Sequence, residues 1–211
     1  MNIVFDFGNV LVEWNPSALI RVHYAAADGR AQFPDALADT LINHQDWLDF
    51  DLGVLDAAEL AARSARRLGL DEAGLRAFIE RIPHVLPVFD STVEVMKALA
   101  AGTHGEHRVL YLSNMPVEFA QVLEARCPWI AHFEGGIFSG RVKLAKPDDA
   151  IYAAAERQLR LDPADTLFLD DSPRNVQAAK ARGWRSEIID RRQSVRDALA
   201  AHGVLRPAVA S

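Results

Sequence analysis

The chain has 211 residues, half of them hydrophobic and a quarter charged, which suits a globular protein with one large domain or a domain carrying an insertion. A formal net charge of −6 argues against nucleic-acid and acidic-membrane partners but leaves local anion sites open. The single cysteine, Cys127, excludes an intramolecular disulfide framework and a cysteine zinc site, and no apolar run approaches a membrane span.

Met1-Asn2 leads straight into an apolar run at residues 3–5 (IVF), so no signal peptide is expected and the location is expected to be cytoplasmic. That run ends on Asp6, and Phe7-Gly8-Asn9 then turns the chain. From about residue 17 to 82 the apolar spacing is helical throughout, in ALIRVHYAAA, ALADTLINHQDWLDF, DAAELAARSARRLGL and DEAGLRAFIERI. Asp56 with Glu59 three residues later has the form of a capping box, and Asp71 is placed to cap the next helix. The segment PHVLP at 83–87 is expected to lead the chain back out of this helical block.

Beyond it the pattern alternates. Helices are predicted over 91–101, 116–126, 148–159, 172–182 and 194–202, and strands over 108–112 (RVLYL), 166–169 (TLFL) and 185–189 (RSEII). Pro116 and Pro147 stand at helix starts, Gly183 at a helix stop, and the tail after Gly203 is expected to be loosely held. The alternation predicts an α/β fold, a doubly wound, Rossmann-like parallel sheet with a small all-helical segment inserted after the first strand. The division expected is a core of residues 1–15 and 84–211 with a helical cap at 16–83.

In such a sheet, ligands bind beyond the carboxyl ends of the strands. Those ends carry Asp6, Ser113-Asn114 and Asp170-Asp171, with Lys146-Pro147 before a helix between the last two. Singly, each has a plain explanation: a turn residue, a helix cap, a surface lysine, acids at a helix start. Together they make a phosphate and divalent-metal site. A hard cation takes carboxylate oxygens, here from Asp6 and Asp171 with Asp170 beside them. Lys146, Ser113 and the backbone amides before the Pro116 helix would hold phosphoryl oxygens, and Asp6 could attack phosphorus.

At these residues the chain resembles the haloacid dehalogenase superfamily, whose members are mostly metal-dependent phosphatases. VFDFGNVLV looks like its first motif, LYLSN its second, KPDDAIYAAAERQL its third and TLFLDDSPRNVQAAKARGW its fourth. The resemblance implies Asp6 as nucleophile, Ser113 and Asn114 at the phosphate, and Lys146 between phosphate and nucleophile. It also implies Asp170 and Asp171 as the metal acids with Mg²⁺ as the ion, and Asn175 behind them. Lys143 lacks the following proline and helix start.

The departure is Gly8. Most phosphatases of the superfamily have there an aspartate that protonates the leaving oxygen, a contribution typically worth ~10²–10⁴-fold. The backbone carbonyl that ligates the ion at this position is kept by glycine. The Asp-x-Gly-Asn pattern is similar to a subgroup resembling α-D-glucose-1-phosphate phosphatase, which implies a small phosphorylated metabolite such as a sugar 1-phosphate as substrate. The alternatives are a 2-haloacid dehalogenase, whose halide leaves unprotonated, and a phosphate-binding relative that has lost turnover. Substrate contacts from the helical segment are expected from Trp14, Asn15 and the stretch His44-Gln45-Asp46-Trp47, with Trp47 also suited to packing and His44 to an exposed helix position. The chain is expected to turn between helices near Asp51-Leu52-Gly53.

Overall fold

The computed structural model describes residues 1–28, 36–190 and 193–205. Strand β1 (Asn2–Phe5) is followed by five helices: α1 (Pro16–Asp28), α2 (Ala36–Ile42), α3 (Gln45–Asp51), α4 (Ala57–Leu68) and α5 (Glu72–Val85). The alternating half continues with α6 (Asp90–Ala100), β2 (Arg108–Ser113), α7 (Val117–Arg126), β3 (Gly135–Phe138), α8 (Ser139–Val142) and α9 (Asp149–Leu159). It closes with β4 (Thr166–Asp170), α10 (Pro173–Ala181), β5 (Arg185–Ile188) and α11 (Val195–Ala201).

The five strands pair in the order β3-β2-β1-β4-β5, every pair parallel, so β1 is central and both its neighbours arrive by crossovers. Successive side chains point to opposite faces, and both faces are dry. Ile3, Phe5, Val109, Tyr111, Leu167 and Leu169 join one buried cluster with α6, α7 and α11, whereas Val4, Leu110, Leu112 and Phe168 join a second with α9 and α10. This is the doubly wound α/β sheet that the alternation predicts.

β3 is the strand that sequence patterning does not show. Its Gly135-Gly136 start reads as a turn, but a Cβ on Gly136 would lie 2.2 Å from the Tyr111 ring, so glycine is there for the close approach of that ring. Two further expectations change. PHVLP does not follow the helix: α5 runs through Pro83, whose carbonyl accepts a 2.9 Å hydrogen bond from Arg126 Nη1. Val204 and Leu205, in the tail expected to be loose, are buried against the core, and the rest of that tail lies outside the described residues.

The helical block behaves as its caps dictate. Asp56 Oδ1 accepts from the Glu59 amide at 2.8 Å and Asp71 Oδ2 from the Gly74 amide at 2.6 Å, contributions of ~1 kcal/mol each. His44 is the N-cap of α3, its Nδ1 accepting from the Asp46 amide, rather than a residue within the helix. Apolar residues of the block, among them Leu41, Phe50, Leu60, Phe78 and Ile79, belong to the same cluster as the sheet face. The segments joining the block to the sheet are paired with each other: Glu13 N donates to Pro87 O at 2.8 Å and Phe89 N to Leu11 O at 2.9 Å.

Candidate active site

The carboxyl ends of β1, β2 and β4 open on a cavity of about 410 Å³, which Asp6, Gly8, Ser113, Asn114, Lys146, Asp171 and Asn175 line from the sheet side. The strand-end residues and Lys146 that the sequence singles out are thus gathered at one place, whereas Asn15 lines a separate cavity and His44, Gln45 and Asp46 do not line this one. Asp6 is delivered by the β1 ladder, which its amide extends by donating to Leu169 O at 2.9 Å. Lys146 is buried at the centre. Its Nζ lies 2.9 Å from Asp6 Oδ1 and 2.6 Å from Asp170 Oδ2, donates to Leu112 O at 2.9 Å, and sits over the Phe168 ring. Lys143 is exposed at the end of α8.

Each of these groups is held by a neighbour. The Asn114 side chain donates to Lys146 O at 2.9 Å and accepts from Lys146 N at 2.8 Å, so its amide is spent on placing the lysine backbone. Fully buried Asp170 accepts from Lys146, from the Ser172 amide at 2.8 Å and from Asn175 Nδ2 at 3.0 Å and 3.1 Å. Asn175 therefore stands behind Asp170. Asp6 Oδ1 is paired electrostatically with Lys146 but accepts no aligned hydrogen bond.

Burial pushes the Asp6 carboxyl up to about 7; Lys146 pulls it down, and Asp170 and Asp171 push it further up. Burial also raises Asp171, against the hydrogen bond from Asn9. Burial lowers the Lys146 ammonium, but Asp170 and Asp6 outweigh it and the net direction is upward. Oxygens of Asp6, Asp170 and Asp171 lie within 4.8 Å of one another. A carboxylate trio of this kind, two of its members buried and one half-buried, fits an oxygen-seeking divalent cation, whose charge would relieve the mutual repulsion.

Two contributors escape sequence reading. Asn9 adopts the left-handed conformation at φ 53°, one that asparagine tolerates; its Oδ1 accepts from Trp14 N at 2.9 Å and its Nδ2 donates to Asp171 Oδ2 at 2.8 Å. The one signal for it is an amide following glycine in the turn after Asp6. The second is Asp51, at the end of α3. Trp14, Trp47, Leu48 and Asp51 line the cavity from the helical side, with the Trp14 and Trp47 rings 6.0 Å apart and Trp47 itself buried.

Asp51 keeps some accessibility although it lies deep in the molecule, so its open side is the cavity. Burial alone pushes its carboxyl up from 3.8 to about 7. The folded state then holds a proton that the unfolded chain releases, so stability is lost as pH rises from 3.8 through about 7. Asp51→Asn is expected to raise stability at about pH 8 by something on the order of 2 kcal/mol and to change it little at about pH 4. Denaturant titration at both values measures this, and equal effects at the two would mean an ordinary carboxyl.

A family model described as haloacid dehalogenase-like hydrolase matches residues 1–183. The chain is 26% identical over 182 residues to the sesquiterpene phosphatase astK of Aspergillus oryzae, covering 85% of each. In fold it is similar to a HAD family enzyme of Bacteroides thetaiotaomicron solved in complex with magnesium and inorganic phosphate, with a TM-score of 0.72, 19% identity, and coverage of 92% of this chain and 96% of that one. It is likewise similar to the L-2-haloacid dehalogenase of Xanthobacter autotrophicus, with a TM-score of 0.67, 23% identity, and coverage of 96% and 82%. With the family model spanning most of the sequence, and the parallel sheet in place, the chain belongs to the haloacid dehalogenase-like hydrolases.

Proposed function

We propose that this hydrolase is a Mg²⁺-dependent phosphomonoester hydrolase that works through an aspartyl phosphate on a small phosphorylated metabolite in the cytoplasm. The observation that carries the reading is the trio of Asp6 and Asp170, both buried, and half-buried Asp171 around Lys146 on the cavity floor, with Lys146 Nζ 2.9 Å from Asp6 Oδ1. A likeness to a phosphatase over 85% of both chains supports it.

In this reading the Asp6 carboxylate attacks phosphorus, the bond to the leaving oxygen breaks, and water later cleaves the acyl phosphate. The Lys146 ammonium, the Ser113 hydroxyl and the Asn114 backbone N–H hold the phosphoryl oxygens. Asp170, committed to Lys146, Ser172 and Asn175, fixes the direction of the ammonium. Asp6, Asp171 and the Gly8 carbonyl are the groups that would hold Mg²⁺. The ion supplies charge neutralisation at the phosphoryl oxygens. Residues 16–83 act as a cap over the core formed by 1–15 and 84–211, with Trp14 and Trp47 against the leaving group.

Within that class, the Asp-x-Gly-Asn motif favours a sugar 1-phosphate. The Trp14, Trp47, Ile42 and Leu48 wall favours instead a leaving group with an apolar face. Haloacid dehalogenation is disfavoured because a departing halide needs neither Asp171 nor a cation. Phosphate release with and without Mg²⁺ tests the proposal, together with halide release from 2-chloropropionate. Halide in place of phosphate overturns it.

Asp171→Ala is expected to raise the Mg²⁺ concentration needed for half-maximal activity by ~10–100-fold or more, since even residues behind metal ligands contribute that much. An unchanged Mg²⁺ titration would move the ligand role away from Asp171.

A further inference from the structure

We infer that Asp51 is the general acid and base of this site, supplying from the helical insertion the proton that Gly8 cannot; the inference rests on the phosphatase reading above. Gly8 leaves the usual acid position without a side chain, and a Cβ there would have 3.7 Å to Trp14 Cβ and 4.0 Å to Asp6 Oδ2. Of the other carboxylates on the cavity floor, Asp6 is the attacking group, Asp170 is saturated by Lys146, Ser172 and Asn175, and Asp171 is held by Asn9. Asp51 lines the same cavity from the opposite wall, on the face of α3 that also presents Trp47 and Leu48.

Its position is fastened to the core. Ser139 Oγ donates to Asp51 O at 2.5 Å and accepts from the Met115 amide at 2.8 Å, so a single side chain ties the end of α3 to the loop that follows Ser113. Two residues on, the backbone at Gly53 packs so closely on Gly140 that a Cβ would meet the Gly140 carbonyl at 2.4 Å. An acid borne on a helical insertion can serve the reaction only if it is registered to the nucleophile, and these contacts provide that register. No donor or cation meets the Asp51 carboxylate among the described residues, which leaves it free for a ligand.

The proton balance closes with Asp51 alone. As Asp6 bonds to phosphorus and the leaving P–O bond breaks, the Asp51 carboxyl gives its proton to the departing oxygen, releasing an alcohol. The resulting carboxylate takes a proton from water as that water attacks phosphorus; the P–O bond to Asp6 breaks, and inorganic phosphate leaves with Asp51 protonated again. A carboxyl raised to about 7 by burial is suited to both steps near neutral pH. The charged groups sharing the cavity, Asp6, Lys146, Asp171 and Arg174, do not contribute to that shift.

The test compares first-turnover rates on butyl phosphate, whose alkoxide needs a proton, and on p-nitrophenyl phosphate, whose phenolate does not. Asp51→Asn is expected to lower the butyl phosphate rate by ~10²-fold or more while the first equivalent of nitrophenolate appears within about threefold of the wild-type rate. That retained burst also reports a folded protein with a working nucleophile. Adding Gly8→Asp to Asp51→Asn should recover at least about tenfold on butyl phosphate, because an acid is restored at the usual position. Equal loss on both substrates without rescue, or no loss on butyl phosphate, overturns the role of Asp51 while leaving the phosphatase intact. A wild-type protein that releases phosphate from neither substrate, nor from any other monoester, overturns the phosphatase reading itself and this role with it.

Discussion

Asp6→Asn is expected to abolish phosphate release, by ~10⁴-fold or more, while leaving the fold in place. Asparagine is nearly isosteric, and the Asp6 backbone bond to Leu169 O does not depend on the side chain. What disappears is the anionic oxygen proposed to form the bond to phosphorus. The substitution also removes a carboxylate that burial resists ionising, and Lys146 keeps Asp170 as its partner at 2.6 Å. The melting temperature is therefore expected to stay or to rise. A protein with the wild-type circular dichroism spectrum, no turnover and no acid-trapped acyl phosphate is the predicted result. Retained turnover would remove Asp6 from the nucleophile role.

Lys146→Met carries the second large effect, and it reaches stability as well as rate. The ammonium is buried between two carboxylates, and breaking a buried pair by deleting one partner typically costs about 3–5 kcal/mol. Asp170, with no route to water, is left facing Asp6 and Asp171. Two further observations should separate charge from packing. Added Mg²⁺ should restore part of the lost stability, because a divalent cation offsets the same carboxylates. Combining Lys146→Met with Asp6→Asn should cost less than the sum of the two, by about 1–3 kcal/mol, since both changes act on one ion cluster. Strict additivity would mean that the lysine is valued for its methylene stem rather than its charge. In every case activity is expected to fall with the lysine, because Lys146 is the cation that lies against Asp6, at 2.9 Å.

The arrangement of Asp6, Ser113, Lys146, Asp170 and Asp171 was legible before any coordinates because each follows a strand or precedes a helix that local pattern predicts. Sheet topology then puts all strand ends on one rim. Asn9 was not legible in this way: its value lies in a left-handed backbone that turns one amide toward both Trp14 and Asp171. Asn114 changed meaning for a related reason. The sequence offers an amide next to Ser113, the serine proposed to hold phosphate, but the fold engages both ends of that amide with the Lys146 backbone.

By itself the sequence determined the α/β alternation, the run of helices after the first strand and which polar residues stand at strand ends, because those depend on periodicity and on order along the chain. Only the tertiary structure decided the rest. β3 forms because Gly136 accommodates the Tyr111 ring, a contact between segments that no local pattern records. Asp51 faces the cavity because Ser139 and Gly140, almost ninety residues away in sequence, hold the end of α3 against the core. A residue's burial, and with it the proton affinity of Asp51, is a property of what packs around it, and that packing exists only once the chain has closed on itself.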